Sequence, residues 1–274
     1  TKYCQSSISM DYPNNWVGAE ATMLPTADLK VDAIVALLKA QVDENFSVTG
    51  GIKRSTVQDG VLTIPFTVTD LTVKGDSETS IIYGIAYELP EIALKAELVM
   101  EEQVGFSLTP TGNFAGVTAT GATASMPNYT SLKVQSGIAT DTLAFFSARR
   151  ADWASHQVIL SNATTTGPIS TFTDTTSYSL GLGRKLTDSL SASLAYNWEK
   201  GSGSISGSTL AVTNGYRGLS AGVKYTTGDI TISGGVNYTK LGDTVVTQNP
   251  KVLTDAPFSG NTVTTVGLKI GYNF

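Results

Sequence analysis

The chain has 274 residues, only 15% of them charged, and a net charge of −5. Soluble domains usually carry about 25% charged residues, and an acidic chain of this composition is not expected to bind nucleic acid. One cysteine excludes an intrachain disulfide framework, and the absence of any run of about 18 apolar residues excludes a transmembrane helix.

Period-two alternation of apolar and polar residues predicts that the chain consists of β-strands. In "TDSLSASLAYNW", Leu190, Leu194 and Trp198 share one parity, while Ser191 and Ser193 occupy the other. Tyr and Trp recur near the strand ends on the apolar face, as in an aromatic girdle. The predicted strands, in chain order, are 2–12, 30–42, 46–54, 79–88, 92–105, 130–139, 142–152, 176–185, 188–198, 215–226, 229–239 and 262–274.

The second of these segments has two interpretations. "TADLKVDAIVALLKAQVDE" also fits a helix, with Thr26 or Asp28 as its N-cap. We predict a strand over 30–42 because the tight turn Asp43-Glu44-Asn45 and the count of strands both require one.

The connections alternate between tight polar turns and long Ser/Thr/Gly-rich stretches. Outer-membrane barrels show this asymmetry, with short periplasmic turns and long extracellular loops. The sequence therefore predicts an all-β, antiparallel transmembrane barrel of about twelve strands, forming a single domain over 1–274 in a Gram-negative outer membrane. A soluble all-β binding domain is the alternative, because the apolar faces of a sandwich would meet in a core. The long connections are 13–28, 55–78, 106–128, 153–174, 199–214 and 239–261.

Several stretches resemble the FadL-type family of long-chain fatty acid transporters, which includes channels for aromatic hydrocarbons. They are "VALLKAQVDENFSVTGGIKR", "GIAYELPEIALKAELVMEE", "MPNYTSLKVQSGIATDTLAFFSARRADW" and "VGLKIGYNF". The resemblance implies a barrel of about fourteen strands with an N-terminal hatch. Aligned from its C-terminus, this sequence lacks the hatch and the first two strands. We therefore expect either an N-terminally incomplete member or a genuine twelve-stranded variant.

The family captures apolar ligands between extracellular loops and releases them sideways through a gap in the barrel wall. The resemblance assigns Pro13, in "SMDYPNNW", to the kink or gap, since proline cannot donate a ladder hydrogen bond. Pro13 could equally end its strand at the following loop. It also assigns a capture groove to apolar residues of two loops, for which loop-on-loop packing is the alternative. The groove residues are Leu62, Ile64, Phe66, Phe106, Leu108 and Phe114.

A fatty-acid carboxylate inside the barrel would need a cationic partner, because burying an unpaired charge is costly. By alternation, six basic residues face the lumen, and Glu97 and Glu101 share the face of Lys95. Most lumenal charges are expected to pair with one another. We favour Arg149 and Lys53 as the ligand cations because both lie near the loop ends of their strands. The six basic residues are Lys53, Lys95, Lys133, Arg149, Lys224 and Lys269.

No catalytic or metal-binding motif is found. His156 is the single histidine, and no G-x-S-x-G motif is present to suggest a catalytic triad. We expect it to be a solvated residue of its loop. The acidic residues of loop 55–78 match no EF-hand spacing. The chain is therefore predicted not to be an enzyme and to use no cofactor.

The predicted function is passive uptake of long-chain fatty acids or other hydrophobic compounds, with lateral release. Its partners would be hydrophobic small molecules, among them hydrocarbons, and outer-membrane lipid, and we expect a monomer. The alternative is a barrel acting in recognition or adhesion, or as a general porin.

Overall fold

The wall of the molecule is built from long antiparallel strands. A computed structural model describes residues 2–10, 26–63, 71–114, 116–203, 210, 213–246 and 256–272. Within these ranges all regular structure is β, apart from 3₁₀ turns at Pro90–Ile92 and Trp153–Ser155. None of the helical segments in the described part of the chain is long and apolar enough to cross a bilayer.

The described residues contain a counterpart for each of the twelve predicted strands. Each pairs with the next along the chain, from β1 to β21, and every pairing is antiparallel. The all-β antiparallel prediction is thereby confirmed. These wall strands are β1 (Lys2–Met10), β2 (Thr26–Gln41), β3 (Phe46–Val57), β6 (Asp76–Leu89), β7 (Leu94–Glu101), β11 (Tyr129–Ala139), β12 (Thr142–Ala151), β15 (Thr175–Lys185), β16 (Leu190–Glu199), β17 (Tyr216–Thr227), β18 (Ile230–Leu241) and β21 (Thr262–Tyr272).

The segment that also fitted a helix is strand β2. It pairs with β1 and β3 along its length. The turn that follows explains the choice, because the Asp43 carboxylate accepts hydrogen bonds from the backbone N–H groups of Asn45 (2.8 Å) and Phe46 (2.7 Å). This tight turn aims β3 back along β2 and lets both strands complete their ladders.

The outward face of the wall is apolar. Leu38 is 83% exposed and Val266 is 77% exposed. Aromatic residues border this band at the end with the short turns, where the rings of Phe46 and Tyr87 lie 4.8 Å apart. At the other end Tyr178 stacks on Trp198 at 5.1 Å. An apolar band between two aromatic rows is the surface that a barrel presents to lipid.

The two ends of the wall differ as predicted. One end, here called the turn end, carries the short connections 42–45, 90–93, 140–141, 186–189 and 228–229. The other, the loop end, carries the long ones.

Part of the loop end forms further strands, where the sequence predicted only long loops. Strands β4, β5, β8, β10, β13 and β14 pair in that order into a sheet, here called the loop cap. Its buried core includes Leu71, Phe106 and Leu160. The predicted boundary near residue 105 was therefore wrong, because β7 ends at Glu101 and β8 begins at Val104. The added strands are β4 (Gly60–Thr63), β5 (Leu71–Lys74), β8 (Val104–Thr111), β9 (Asn113–Phe114), β10 (Val117–Met126), β13 (Ile159–Asn162), β14 (Thr166–Pro168), β19 (Thr244–Val246) and β20 (Ala256–Phe258).

Candidate lumenal binding site

Arg149 occupies a lumenal position near the loop end of β12. Its guanidinium carbon lies 4.0 Å from the ring centroid of Tyr129 on the neighbouring strand β11. The register pairs Arg149 with Ser131 and Tyr129 with Ala151, so the stacked side chains are diagonal neighbours on one face. Stacking on an aromatic face holds the guanidinium in place without consuming its hydrogen-bond donors.

No carboxylate neutralises Arg149 within the described parts of the chain, whose ion pairs involve other cations. Its side chain is exposed and lines a cavity of about 230 Å³. The cavity also presents the second cation Lys133, together with hydroxyl and amide groups. Two cations surrounded by hydrogen-bond donors form a site suited to a carboxylate. Its other polar lining residues include Ser147, Ser177, Asn197 and Tyr216.

Lys53, the other predicted ligand cation, is already paired. Its ammonium group forms an ion pair and hydrogen bond with Glu101, and the two side chains are only 14% and 18% exposed. The two residues come from β3 and β7, which flank β6. Lys53 is therefore already paired with a carboxylate, whereas Arg149 has no ion-pair partner among the described residues.

The lumenal charges near the turn end also pair among themselves. Glu88 accepts from Lys39 and Lys95, each at 3.0 Å, and Glu97 lies 3.9 Å from Lys95. This agrees with the expectation that most lumenal charges neutralise one another.

An aromatic path leads from Arg149 to the loop end. The ring of Tyr129 meets that of Trp153 edge-on at 6.4 Å, and Trp153 meets Phe172 edge-on at 5.4 Å. Trp153 and Phe172 also line a cavity of about 620 Å³ at the loop end, together with Pro168. The aromatic path is not predicted by the sequence patterns, although "RRADW" places a tryptophan directly after the strand that carries Arg149.

A larger cavity of about 760 Å³ lies towards the turn end of the lumen. Its lining combines Leu143 and Phe145 with small residues such as Gly183 and Gly222. The Phe145 ring lies against Gly181 across the β12–β15 pair, where an added Cβ would come within 2.4 Å of the ring. The lumen therefore offers roomy space below the site around Arg149, with apolar walls at Leu143 and Phe145 and charged groups that include Asp141, Lys185 and Lys224.

The predicted groove residues occupy different environments. Phe106 is 3% exposed and Leu108 is 7% exposed, and both belong to the packed core of the loop cap. In this structure the two side chains do not line an open groove, and their role in ligand capture stays a prediction. Leu62 lies on β4 and Phe114 on β9, but their side chains are outside the description, as are Ile64, Phe66 and Pro13 altogether.

His156 is not the solvated residue that the sequence predicted. Its side chain is buried, and Nδ1 lies 3.0 Å from the Ser125 hydroxyl oxygen. Packing of the loop segment against β10 buries the ring, and the Ser125 hydroxyl is the hydrogen-bond partner of Nδ1. The described residues contain no group of three or more His, Cys, Asp or Glu side chains able to hold a metal ion.

Comparisons with known proteins identify the fold. No family model and no curated protein matches the sequence. The solved structure of a Pseudomonas aeruginosa FadL homologue superposes with a TM-score of 0.76 at 12% identity, over 98% of this chain and 74% of that one.

Two toluene transporters also superpose on this chain. TodX of Pseudomonas putida has a TM-score of 0.62 at 10% identity, over 99% of this chain and 78% of that one. TbuX of Ralstonia pickettii has a TM-score of 0.62 at 8% identity, over 98% of this chain and 76% of that one. The resemblance read from the sequence is thus confirmed in three dimensions, and this chain has the transmembrane β-barrel fold of the FadL-type outer-membrane channels.

Proposed function

We propose that this protein is an outer-membrane channel for the passive uptake of hydrophobic compounds and that Arg149 holds the polar end of an amphiphilic ligand such as a long-chain fatty acid. The main support is that the Arg149 guanidinium stacks on Tyr129 at 4.0 Å and has no ion-pair partner among the described residues. A cation of this kind supplies the partner that a carboxylate needs in a partly dehydrated lumen.

The surroundings of Arg149 support this ligand class. Towards the loop end the rings of Tyr129, Trp153 and Phe172 offer an apolar approach. Towards the turn end the 760 Å³ cavity offers space for an alkyl chain. A ligand with an apolar body and one anionic end fits both features at once, whereas a neutral hydrocarbon would use only the apolar surfaces.

Orientation in the membrane follows from the asymmetry of the two ends. In the proposed orientation the loop end faces the cell exterior and the turn end faces the periplasm, as in barrels with short periplasmic turns. Lateral release near Pro13 remains part of the proposal, as do monomeric action and the use of no cofactor. The superposed structures are described as a FadL homologue and as toluene transporters, which makes fatty acids and monoaromatic hydrocarbons the ligands to test first.

Uptake by liposomes that contain the purified protein and carry lipopolysaccharide in their outer leaflet tests the proposal, because a plain phospholipid bilayer admits apolar compounds without a channel. We expect a radiolabelled fatty acid and toluene to enter these vesicles faster than protein-free vesicles, while a disaccharide does not. Equal entry of the disaccharide would indicate a general porin instead. No acceleration for any compound would refute a channel.

The loop cap favours one second candidate, recognition or adhesion. Strands from three separate loops share one buried core there, which gives a defined outer surface rather than a set of mobile loops. A barrel that accelerates no uptake, yet binds a surface ligand through the loop cap, would support this alternative.

A further inference from the structure

Two cations lie side by side on the outward face of the wall at the loop end. Arg217 on β17 is the register partner of Lys240 on β18. Both side chains are exposed and share the outward parity of Leu219 and Tyr238, which are 54% and 53% exposed. The cations therefore lie one row, or about 7 Å, beyond the aromatic and aliphatic rows that face lipid.

No direct ion pair compensates the charges of Arg217 and Lys240 in the described part of the chain. Like charges directly opposite each other on one sheet face destabilise it. Neither cation takes part in any ion pair within the described ranges. Two carboxylates, Asp243 and Glu199, lie in the same region, but neither forms an ion pair with Arg217 or Lys240, and Glu199 lies on the lumenal parity of β16.

The pair lines a cavity with an aromatic wall. This cavity of about 660 Å³ is bordered by both cations, by Lys200 and by Trp198. The Trp198 ring is itself stacked between Tyr178 (5.1 Å) and Tyr196 (5.5 Å). Its lining also includes the amide of Asn214 and the carboxylates of Glu199 and Asp243.

The turn ends of the same two strands lack such a pair. There the outward positions hold Tyr225, Ile232, Thr227 and Ile230. Basic residues with aromatic neighbours at one membrane boundary attract anionic lipid headgroups. The positive charges of Arg217 and Lys240 therefore favour an anionic partner that is present at the outer boundary of the bilayer.

We infer that Arg217 and Lys240, beside Trp198, bind the phosphate headgroup of a phosphorylated glycolipid in the outer leaflet. This inference rests on the proposed function only for the membrane and its orientation. The site lies on the outside of the wall, apart from the lumenal site at Arg149, and it would anchor and orient the barrel rather than conduct a ligand.

Lipid binding to the purified protein in neutral detergent tests the inference. The probes are bisphosphorylated lipid A and phosphatidylcholine, and native mass spectrometry measures the bound fraction. Two cations near a lipid surface together favour an anionic lipid about 30-fold. We therefore expect R217Q/K240Q to bind lipid A about 30-fold more weakly, with no change for phosphatidylcholine.

The matched control K224Q/K269Q removes the same charge from β17 and β21, but on the lumenal face. It should bind lipid A within about threefold of the unmodified protein. The charge-retaining exchange R217K/K240R should also stay within about threefold, which keeps the test valid if R217Q/K240Q does not fold. Should that exchange abolish binding, a site based on charge is refuted.

Three further outcomes would overturn the inference. The first is unchanged lipid A binding by R217Q/K240Q, and the second is an equal loss of lipid A binding in the K224Q/K269Q control. The third is competition by inorganic pyrophosphate at the same concentration as lipid A, which would indicate a site for free anions. Liposome uptake is measured separately on the same variants. Loss of lipid A binding with normal uptake supports the inference, whereas absence of uptake by the unmodified protein refutes only the proposed function.

Discussion

Replacing Arg149 with glutamine tests whether Arg149 binds the carboxylate of a ligand or whether ligands bind only to apolar surfaces of the lumen. Gln keeps hydrogen-bonding capacity but is shorter than Arg and carries no charge. A hydrogen bond to a charged group contributes about 1.5–3 kcal/mol, which corresponds to about a 10- to 150-fold change in Kd. Because the Arg149 side chain is exposed to the lumen, solvent screening favours the lower end, and we expect a loss of about tenfold for a fatty acid.

The alcohol of the same chain length is the matched ligand. It carries the same apolar body without the charge, so we expect R149Q to change its affinity less than about twofold. Isothermal titration calorimetry in detergent, at about pH 8, measures both ligands. At this pH a carboxylic acid with a pKa near that of Glu, about 4.3, is ionised.

Lys53 provides the matched protein variant. Since Glu101 already neutralises its charge, we expect K53Q to weaken fatty-acid binding less than about twofold. The same change leaves the Glu101 carboxylate without its partner and should lower stability by about 1–3 kcal/mol. Equal weakening of acid and alcohol by R149Q, or a larger loss of acid binding in K53Q, would refute an anion site at Arg149.

Four other changes test the loop cap, the wall and the aromatic path. Phe106→Ala should destabilise the loop cap by about 3–5 kcal/mol, seen as faster hydrogen exchange there but not in the wall; equal exchange in both would contradict a separate core. Leu194→Lys should cost about 2–4 kcal/mol at mid-bilayer, measured by urea titration in vesicles, and a neutral effect would contradict its lipid-facing position. Gly181→Ala should lower thermal stability because the new Cβ would come within 2.6 Å of the Leu194 carbonyl oxygen, whereas Gly183→Ala meets its nearest atom at 3.9 Å and should be tolerated; equal melting temperatures would argue against this packing. Trp153→Ala removes two edge-on ring contacts, each contributing about 0.5–1.5 kcal/mol, and should slow toluene entry into liposomes; unchanged entry would remove Trp153 from the path.

Alternation predicted the wall because each wall strand has one apolar and one polar face. The same signal was present in the loop cap, where Val104, Phe106 and Leu108 alternate with Gly105 and Ser107. The sequence nevertheless predicts a wall strand up to residue 105 and a loop from residue 106, since the partners β5 and β10 come from other parts of the chain and the apolar residues also fit a ligand groove. Short strands that pair across different loops leave little local signal.

The lumenal position of the candidate site was predictable from the sequence, but its contacts were not. Parity along β12 and β3 placed Arg149 and Lys53 in the lumen. The register across three strands decided which cation was neutralised, because Glu101 lies 48 residues from Lys53. The stacking of Tyr129 on Arg149 depends on the register between β11 and β12. The contacts of Trp153 depend on how the loop after β12 folds back, which no short sequence pattern encodes.

The loop cap also imposes an order of events during membrane insertion. Its strands β5, β10 and β13 belong to three different loops, which lie between β3 and β6, β7 and β11, and β12 and β15. Each loop reaches the far side of the bilayer only when its own pair of wall strands has crossed. The core around Leu71 and Leu160 can therefore close only after all three pairs have crossed, which makes its completion a late and cooperative step in the biogenesis of the protein.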